Sequence, residues 1–374
     1  MTTEDTIYRP GLEGIIAGET AISTITGGLR YRGYAIEDLA EHAGFEEVAY
    51  LILNGDLPTS QQLAAFESRL RDAMQLPQHL VTALQQIPRE TLPMDALRSA
   101  ASLLGHWEPE AADNSHDANL RKSERLLAQL PVALGVFHRL RTGNPPPSPD
   151  PRRSFAGNVL KMLTGDAPDE LATRAMNVTL ILYAEHEFNA STFTARVVAS
   201  TLADLHSAIT AAIGALKGPL HGGANERVMD VLSEVGSPQR AQSWVREALA
   251  NKVRIMGFGH RVYKTGDPRA KYLKTLSREL AERTGQTNLE ETAEVIESVV
   301  VSEKGLPPNL DWPSARVYHY LGLPIDLYTP LFVLSRVVGW SAHVIEQHDH
   351  NRLIRPRANY TGPDLRPYVP IDQR

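Results

Sequence analysis

The chain has no cysteine. Disulfides, thiolate nucleophiles and thiolate metal ligands are therefore excluded at once. No uninterrupted apolar run reaches the ~18 residues that would mark a membrane-spanning helix. The first ten residues carry Glu4 and Asp5 and no apolar stretch, unlike a secretory signal or an arginine-rich transit peptide. Positive charge is not in excess: 38 Lys and Arg stand against 44 Asp and Glu, a formal net charge of -6. Such a chain has no general electrostatic pull on nucleic acid. Any anionic ligand must be met by a local basic cluster. There is no internal repeat and no low-complexity tract beyond one proline cluster, Asn144 to Pro151. A cytoplasmic protein that binds neither membrane nor nucleic acid is expected.

What is present is length and helical periodicity. At 374 residues, 42% of them hydrophobic, the chain exceeds the ~250–300 residues at which single cores stop growing. One large core or two domains are both possible. Ile15-Ile16, Thr20 to Ile25 and Leu29 to Tyr31 are short β-prone pieces split by glycines, a small hairpin region. After Tyr34 the pattern turns helical, with Glu47 to Leu53 and Gln61 to Met74 split by Gly55 and Pro58. Leu171, Ala175, Val178 and Leu182 fall on one stripe of a helix that runs into Ala184-Glu185-His186. Ala203 to Leu216 predicts a buried helix ending at Gly218-Pro219. Residues 114–126 are polar and expected to be exposed. Glu279 to Glu303 is helical and strongly charged, as in a well-solvated smaller domain. The fold class is mainly α with a small N-terminal β element.

Three segments set polar residues beside glycine or proline in apolar surroundings. In Gly218-Pro219-Leu220-His221-Gly222-Gly223-Ala224-Asn225 a helix ends, a tight turn follows and a new helix begins near Asn225, a good N-cap. His221 sits in that turn, where a structural role is the alternative to a ligand-binding one. Gly257-Phe258-Gly259-His260-Arg261-Val262-Tyr263-Lys264 precedes Asp267-Pro268-Arg269, read as N-cap, first helical residue and first-turn arginine. A helix N-terminus already favours an anion. Lys252, Arg254, Arg261, Lys264, Arg269, Lys271 and Lys274 make the segment a basic island, readable either as an anion site or as a solvated helix face. In Asn309-Leu310-Asp311-Trp312-Pro313-Ser314 a carboxylate sits among apolar neighbours before a helix starting near Ser314. Such a setting raises its pKa and improves it as a base; a plain loop residue is the alternative.

Arg336 lies within a strongly apolar helix, where it needs a partner or a cavity, or else snorkels to the surface. Arg352, Arg355 and Arg357 form a second basic island, readable as a solvated tail or, by the planar fork of arginine, as a carboxylate site. His343, His348, Asp349 and His350 lack a metal-ligand pattern on a periodic element, and the last three are expected to form a surface turn.

Together these segments resemble the citrate synthase family, over nearly the whole chain and in the family's order. Gly11-Leu12-Glu13-Gly14 and Tyr31-Arg32-Gly33-Tyr34 look like its N-terminal strand region. Glu185-His186-Glu187-Phe188-Asn189-Ala190-Ser191-Thr192 looks like its oxaloacetate-binding segment. The three segments above look like its catalytic stretches, and Asn351-Arg352-Leu353-Ile354-Arg355-Pro356 like its C-terminal motif. The resemblance is to the shorter dimeric members. It implies a large helical domain, 1–222 with 323–374, an inserted small domain, 223–322, and a cleft between them in a homodimer.

The implied reaction joins acetyl-CoA to oxaloacetate, with 2-methylcitrate synthesis from propionyl-CoA as the nearest alternative and a non-catalytic helical binding module as a further one. By resemblance Asp311 is the base, His221 the donor to the thioester oxygen and His260 the acid at the ketone. His186, Arg269, Phe332 and Arg336 hold oxaloacetate, with Arg355 arriving from the other subunit. Gly257, Gly259, Arg261, Lys264 and, more weakly, Lys271 meet coenzyme A. No metal and no cofactor are implied; the CoA thioester is a substrate. Trp312-Pro313 departs from many relatives and, being expected near the thioester methyl, leaves the acyl preference open.

Overall fold

The computed structural model describes residues 8–259, 263 and 266–374. Among these are sixteen α-helices and one three-stranded antiparallel sheet of two-residue strands: β1 (Ser23–Thr24), β2 (Arg30–Tyr31) and β3 (Tyr34–Ala35). The mainly α class with a small N-terminal sheet is what the periodicity predicts. The sheet is shorter than expected, since Ile15 and Ile16 join no strand and are exposed.

The central element is the helix Tyr328–Asp349, buried along nearly its whole length. It packs against the helices His116–Arg141, Ala190–Ala199, Leu205–Leu216, Phe45–Asn54 and Glu170–Tyr183. An all-round apolar sequence forms a helix enclosed on every side. β2 serves this packing: the Tyr31 hydroxyl bonds the carbonyls of Ile181 (3.1 Å) and Glu185 (3.0 Å), fastening the C-terminal end of the 170–183 helix. A second group forms where Ala270–Thr284 and Ala224–Val235 both pack on Asp311–Tyr320, and Pro238–Ala250 packs on Thr287–Lys304.

Several local expectations are corrected. The stretch 114–126 is not an exposed polar segment. It opens the helix His116–Arg141 and buries Asn119, Lys122, Ser123 and Glu124. Lys122 is tolerated there because its ammonium reaches the Asp113 carbonyl at 2.5 Å. Asn225 is not an N-cap; the helix starts at Ala224 and Gly223 takes the cap position. Asp267 sits two residues before the cap of its helix, although its Oδ1 still accepts the Arg269 N–H at 3.1 Å. The helix expected from Ser314 begins at Asp311.

The charged stretch 279–303 divides at Gly285 into two helices and is not uniformly solvated. Glu290 is buried, bonded by the fully buried Arg316 through Nε (3.0 Å) and Nη2 (3.1 Å). His348 and Asp349 end the long helix rather than form a turn, bonding Asn119 and His116 respectively. Among the described residues no helix is long and apolar enough to cross a membrane.

Candidate active site

Three chain breaks meet at one cleft. The 170–183 helix ends and the turn 184–189 follows, its Glu187 held at positive φ (49°). The turn 217–223 lies between two helices. The glycine turn 257–259 is zipped to 307–309: Gly259 N–H donates to Pro307 (2.8 Å), Asn309 N–H to Gly257 (2.9 Å) and Asn309 Nδ2 to Gly259 (2.9 Å). This ladder fixes Asp311 at the start of its helix, where its own N–H bonds Asn309 Oδ1 at 3.0 Å.

Gly257 shows why only glycine fits. Its φ is +87°, and a Cβ there would lie 2.9 Å from both Trp312 and Val228. Gly257→Ala is expected to destabilise the protein by about 1–2 kcal/mol for the left-handed backbone, with a further ~1–3 kcal/mol from overpacking. Urea unfolding measures this; a midpoint equal to the native one contradicts it.

The cleft has two connected chambers. The inner one, about 170 Å3, is lined by residues that include Tyr183, His186, His221, Arg269, Asp311 and Arg336. The outer one, about 510 Å3, shares His186, Asn189, His221, Asn309 and Asp311 and extends past Arg254 and Gly257–Gly259. Of the residues proposed from sequence, His186, His221, Arg269, Asp311, Phe332 and Arg336 meet in the inner chamber, and Gly257 and Gly259 line the outer.

Asp311 has its pKa raised to about 6, chiefly by burial. The Tyr183 hydroxyl, donating to Oδ1 at 2.8 Å, and the charges of Arg269 and Arg336 oppose the rise, while Asp267 adds to it. A carboxylate so poised is a stronger base than an exposed one and is still ionised at neutral pH. If it must be ionised to work, kcat/KM for the acyl substrate falls about tenfold per pH unit well below pH 6. Tyr183→Phe removes a bond that lowers this pKa, so the acid limb shifts to higher pH. A limb near pH 4 in both proteins contradicts the assignment.

His221 moves the opposite way. Burial first, and the Arg336 charge second, lower its pKa to about 4. It is therefore neutral under ordinary conditions. Its Nε2 accepts the backbone N–H of Ser191 at 3.3 Å and lies 2.8 Å from Ser191 Oγ. An accepting Nε2 carries no proton, so the proton is on Nδ1. Ser191 is itself held by Trp340 Nε1 (3.0 Å) and Asn189 Oδ1 (2.8 Å). The Ser191 N–H bond thus assigns the Nδ1–H tautomer to a neutral imidazole that lines the cleft.

The two guanidiniums differ. Arg336 is 1% exposed. Its Nε donates to the Tyr183 carbonyl at 2.7 Å and its carbon lies 4.7 Å from the Phe332 ring centroid. Burial lowers its pKa to about 10, so it stays charged and resolves the sequence alternatives in favour of a cavity-lining arginine. Arg269 is likewise buried, but its fork closes on Asp267 through Nε (2.9 Å) and Nη2 (2.8 Å). Burial pushes its pKa down, yet the Asp267 carboxylate prevails and raises it. The expected anion clamp is already paired with a carboxylate of its own chain. His186 Nε2 lies 3.2 Å from the Tyr263 hydroxyl.

Other candidates are placed elsewhere. Arg355 is exposed and lines a different groove with Arg196 and Glu346. Lys271 and Lys274 line a small separate groove together with Trp312 and Pro313. Trp312 is fully buried against Phe258, so the pair expected beside the reacting methyl is turned away from the chambers. His260, Arg261 and Lys264 lie outside the described residues. Sequence reasoning did not name Tyr183, Asn189, Asp267 and Asn309 as cleft residues. Asn189, Asp267 and Asn309 lay inside segments already singled out, whereas Tyr183 stood outside them as a lone phenol three residues before His186 at the end of an apolar helix.

A mainly helical fold thus holds a small chamber lined by two arginines, a carboxylate of raised pKa and a neutral imidazole, the setting of an acyltransferase. The Citrate synthase, C-terminal domain family model matches residues 11–357. The chain is 49% identical to Citrate synthase 2 of Bacillus subtilis, covering 97% of this chain and 98% of that one. It is 46% identical to 2-methylcitrate synthase 2 of Corynebacterium glutamicum, covering 100% and 99%. A solved ternary complex of carboxymethyl coenzyme A and oxaloacetate with citrate synthase from Thermoplasma acidophilum superposes with a TM-score of 0.92 at 38% identity, covering 98% and 99%. The chain belongs to the citrate synthase family.

Proposed function

We propose that the chain condenses acetyl-CoA with oxaloacetate and hydrolyses the adduct to citrate and free CoA. The observation that carries this reading is the placement of Asp311 and His221 around one chamber with Arg269 and Arg336. Asp311 removes a methyl proton of the thioester. His221 donates from Nδ1 to the thioester oxygen as negative charge develops there. The enolate carbon attacks the oxaloacetate ketone, and His260 supplies the proton to the new alkoxide. Water then cleaves the thioester, releasing CoA.

His186, Arg336 and Arg269 receive the oxo dicarboxylate over Phe332. With Arg269 already closed on Asp267, Arg336 is the principal clamp. Arg355 of a second copy completes the pocket in a cytoplasmic homodimer. Gly257, Gly259, Arg261 and Lys264 meet coenzyme A at the outer chamber, where Arg254 also lies; Lys271, in its separate groove, is the weakest of these. The lobes 1–222 with 323–374 and 223–322 close over the bound substrates and exclude water. The reading requires no metal and no cofactor.

The relative at 46% identity over the whole chain keeps one second reading open, the same condensation with propionyl-CoA. One methylene is worth only ~1–3 kcal/mol. The ratio of kcat/KM for acetyl-CoA to that for propionyl-CoA tests the choice. A value above one supports citrate formation; a preference for propionyl-CoA of about tenfold, within that range, overturns it.

A further inference from the structure

Behind the turn that carries His186 lies a buried polar chain that the reaction itself does not use. Glu185 is fully buried. Its Oε1 accepts from His343 Nε2 (2.9 Å) and Ser23 Oγ (3.0 Å). Its Oε2 has no hydrogen-bond partner among the described residues and faces Gly339, where any Cβ would collide with it. His343, also fully buried, lies between two charged groups: its Nδ1 is 3.0 Å from Arg196 Nη1. A guanidinium only donates, so Nδ1 is the acceptor and the Nε2–H points at Glu185. Arg196 is anchored by Glu346 (2.6 Å) and Gln347 (3.1 Å).

The chain of bonds reaches the cleft at two places. Glu185 directly precedes His186, and Ser23 Oγ accepts the Glu187 N–H (3.0 Å) while Ile25 N–H bonds Glu187 Oε1 (2.7 Å). The turn is thus gripped on both sides of His186. The Glu185 carboxylate also acts on Arg336 as its largest favourable charge. At the far end, Arg196 and Glu346 line the groove of about 1130 Å3 that also holds Arg355.

We propose that His343 is a positioning residue: bonded between Arg196 and Glu185, it fixes the carboxylate that seats the His186 turn and backs Arg336, so that both meet the oxo dicarboxylate in the right geometry. The inference rests on the reading that His186 and Arg336 hold that substrate. It separates the two substrates through Arg336, which lines the inner chamber and not the outer one, although the His186 turn borders both.

The test compares His343→Leu and His343→Gln in the full chain. Glutamine can accept from Arg196 and donate to Glu185; leucine can do neither. Oxaloacetate binding is measured by calorimetry without acyl-CoA, and KM for both substrates by turnover. His343→Leu is expected to weaken oxaloacetate roughly tenfold or more, the scale of a lost hydrogen bond to a buried charge. KM for acetyl-CoA should stay close to native, and His343→Gln should restore most of the loss. A folded leucine variant that binds oxaloacetate normally, equal weakening of both substrates, or failure of glutamine to rescue overturns the proposal.

If the leucine variant does not fold, Ser23→Ala decides. It removes a hydroxyl–carboxylate bond at Glu185 and a neutral bond at the Glu187 N–H and is expected to weaken oxaloacetate about threefold or more; unchanged binding overturns the proposal. Native protein that does not bind oxaloacetate defeats the reading of the cleft itself, whereas native binding with unaffected variants defeats only the relay.

Discussion

Asp311→Asn is expected to lower turnover about 10²–10⁴-fold, the contribution of a positioned general base, while oxaloacetate binding stays nearly native. The amide keeps the shape of the carboxylate and can still accept from the Tyr183 hydroxyl now 2.8 Å from Oδ1, but it cannot take a proton. The substitution should not reduce stability. A carboxylate whose folded pKa is raised to about 6 binds its proton more tightly in the folded than in the unfolded state, so above pH 6 its ionisation opposes folding. Removing that charge leaves the thermal midpoint at pH 8 equal or higher. Turnover within tenfold of native would remove Asp311 from its role. A marked fall in the midpoint would show that the carboxylate supports the fold instead.

His221→Ala is expected to reduce kcat by about 10²–10³-fold, the usual loss when one donor to a developing oxyanion is removed. The effect should lie mainly in kcat rather than in KM, because the bond from Nδ1 strengthens as charge moves onto the thioester oxygen. A histidine kept only for structure would behave differently. Its loss would lower stability through the freed Ser191 N–H, which now bonds Nε2 at 3.3 Å, and kcat would change less than about tenfold, well short of the loss of an oxyanion donor.

The sequence shows the parts of the site more clearly than their connections. Asp311 among apolar neighbours, Arg336 in an apolar helix and His221 in a glycine turn each break a local rule, and each lies in the cleft. Gly257 and Gly259 were named only through the family resemblance, and each holds a positive φ that glycine tolerates. What stayed hidden depends on tertiary approach. Asp267 read as a helix cap, yet its carboxylate closes on Arg269. Trp312 adjoins Asp311 in sequence but turns into the core, since helical geometry sends consecutive side chains to different faces. The stretch 114–126 looked exposed because polar composition does not reveal that carbonyls wait to receive Lys122. The relay through His343 joins positions 23, 185, 196 and 346, a grouping that no local pattern contains.

The central claim concerns carbon–carbon bond formation followed by thioester cleavage, and the release of CoA thiol by the purified protein tests it most directly. The chain has no thiol of its own, so a thiol reagent reads CoA without background. With acetyl-CoA and oxaloacetate together, thiol should appear in equal amount to the oxaloacetate consumed, and neither substrate alone should give any. Thiol released at the same rate without oxaloacetate, or none released with both, would contradict the account.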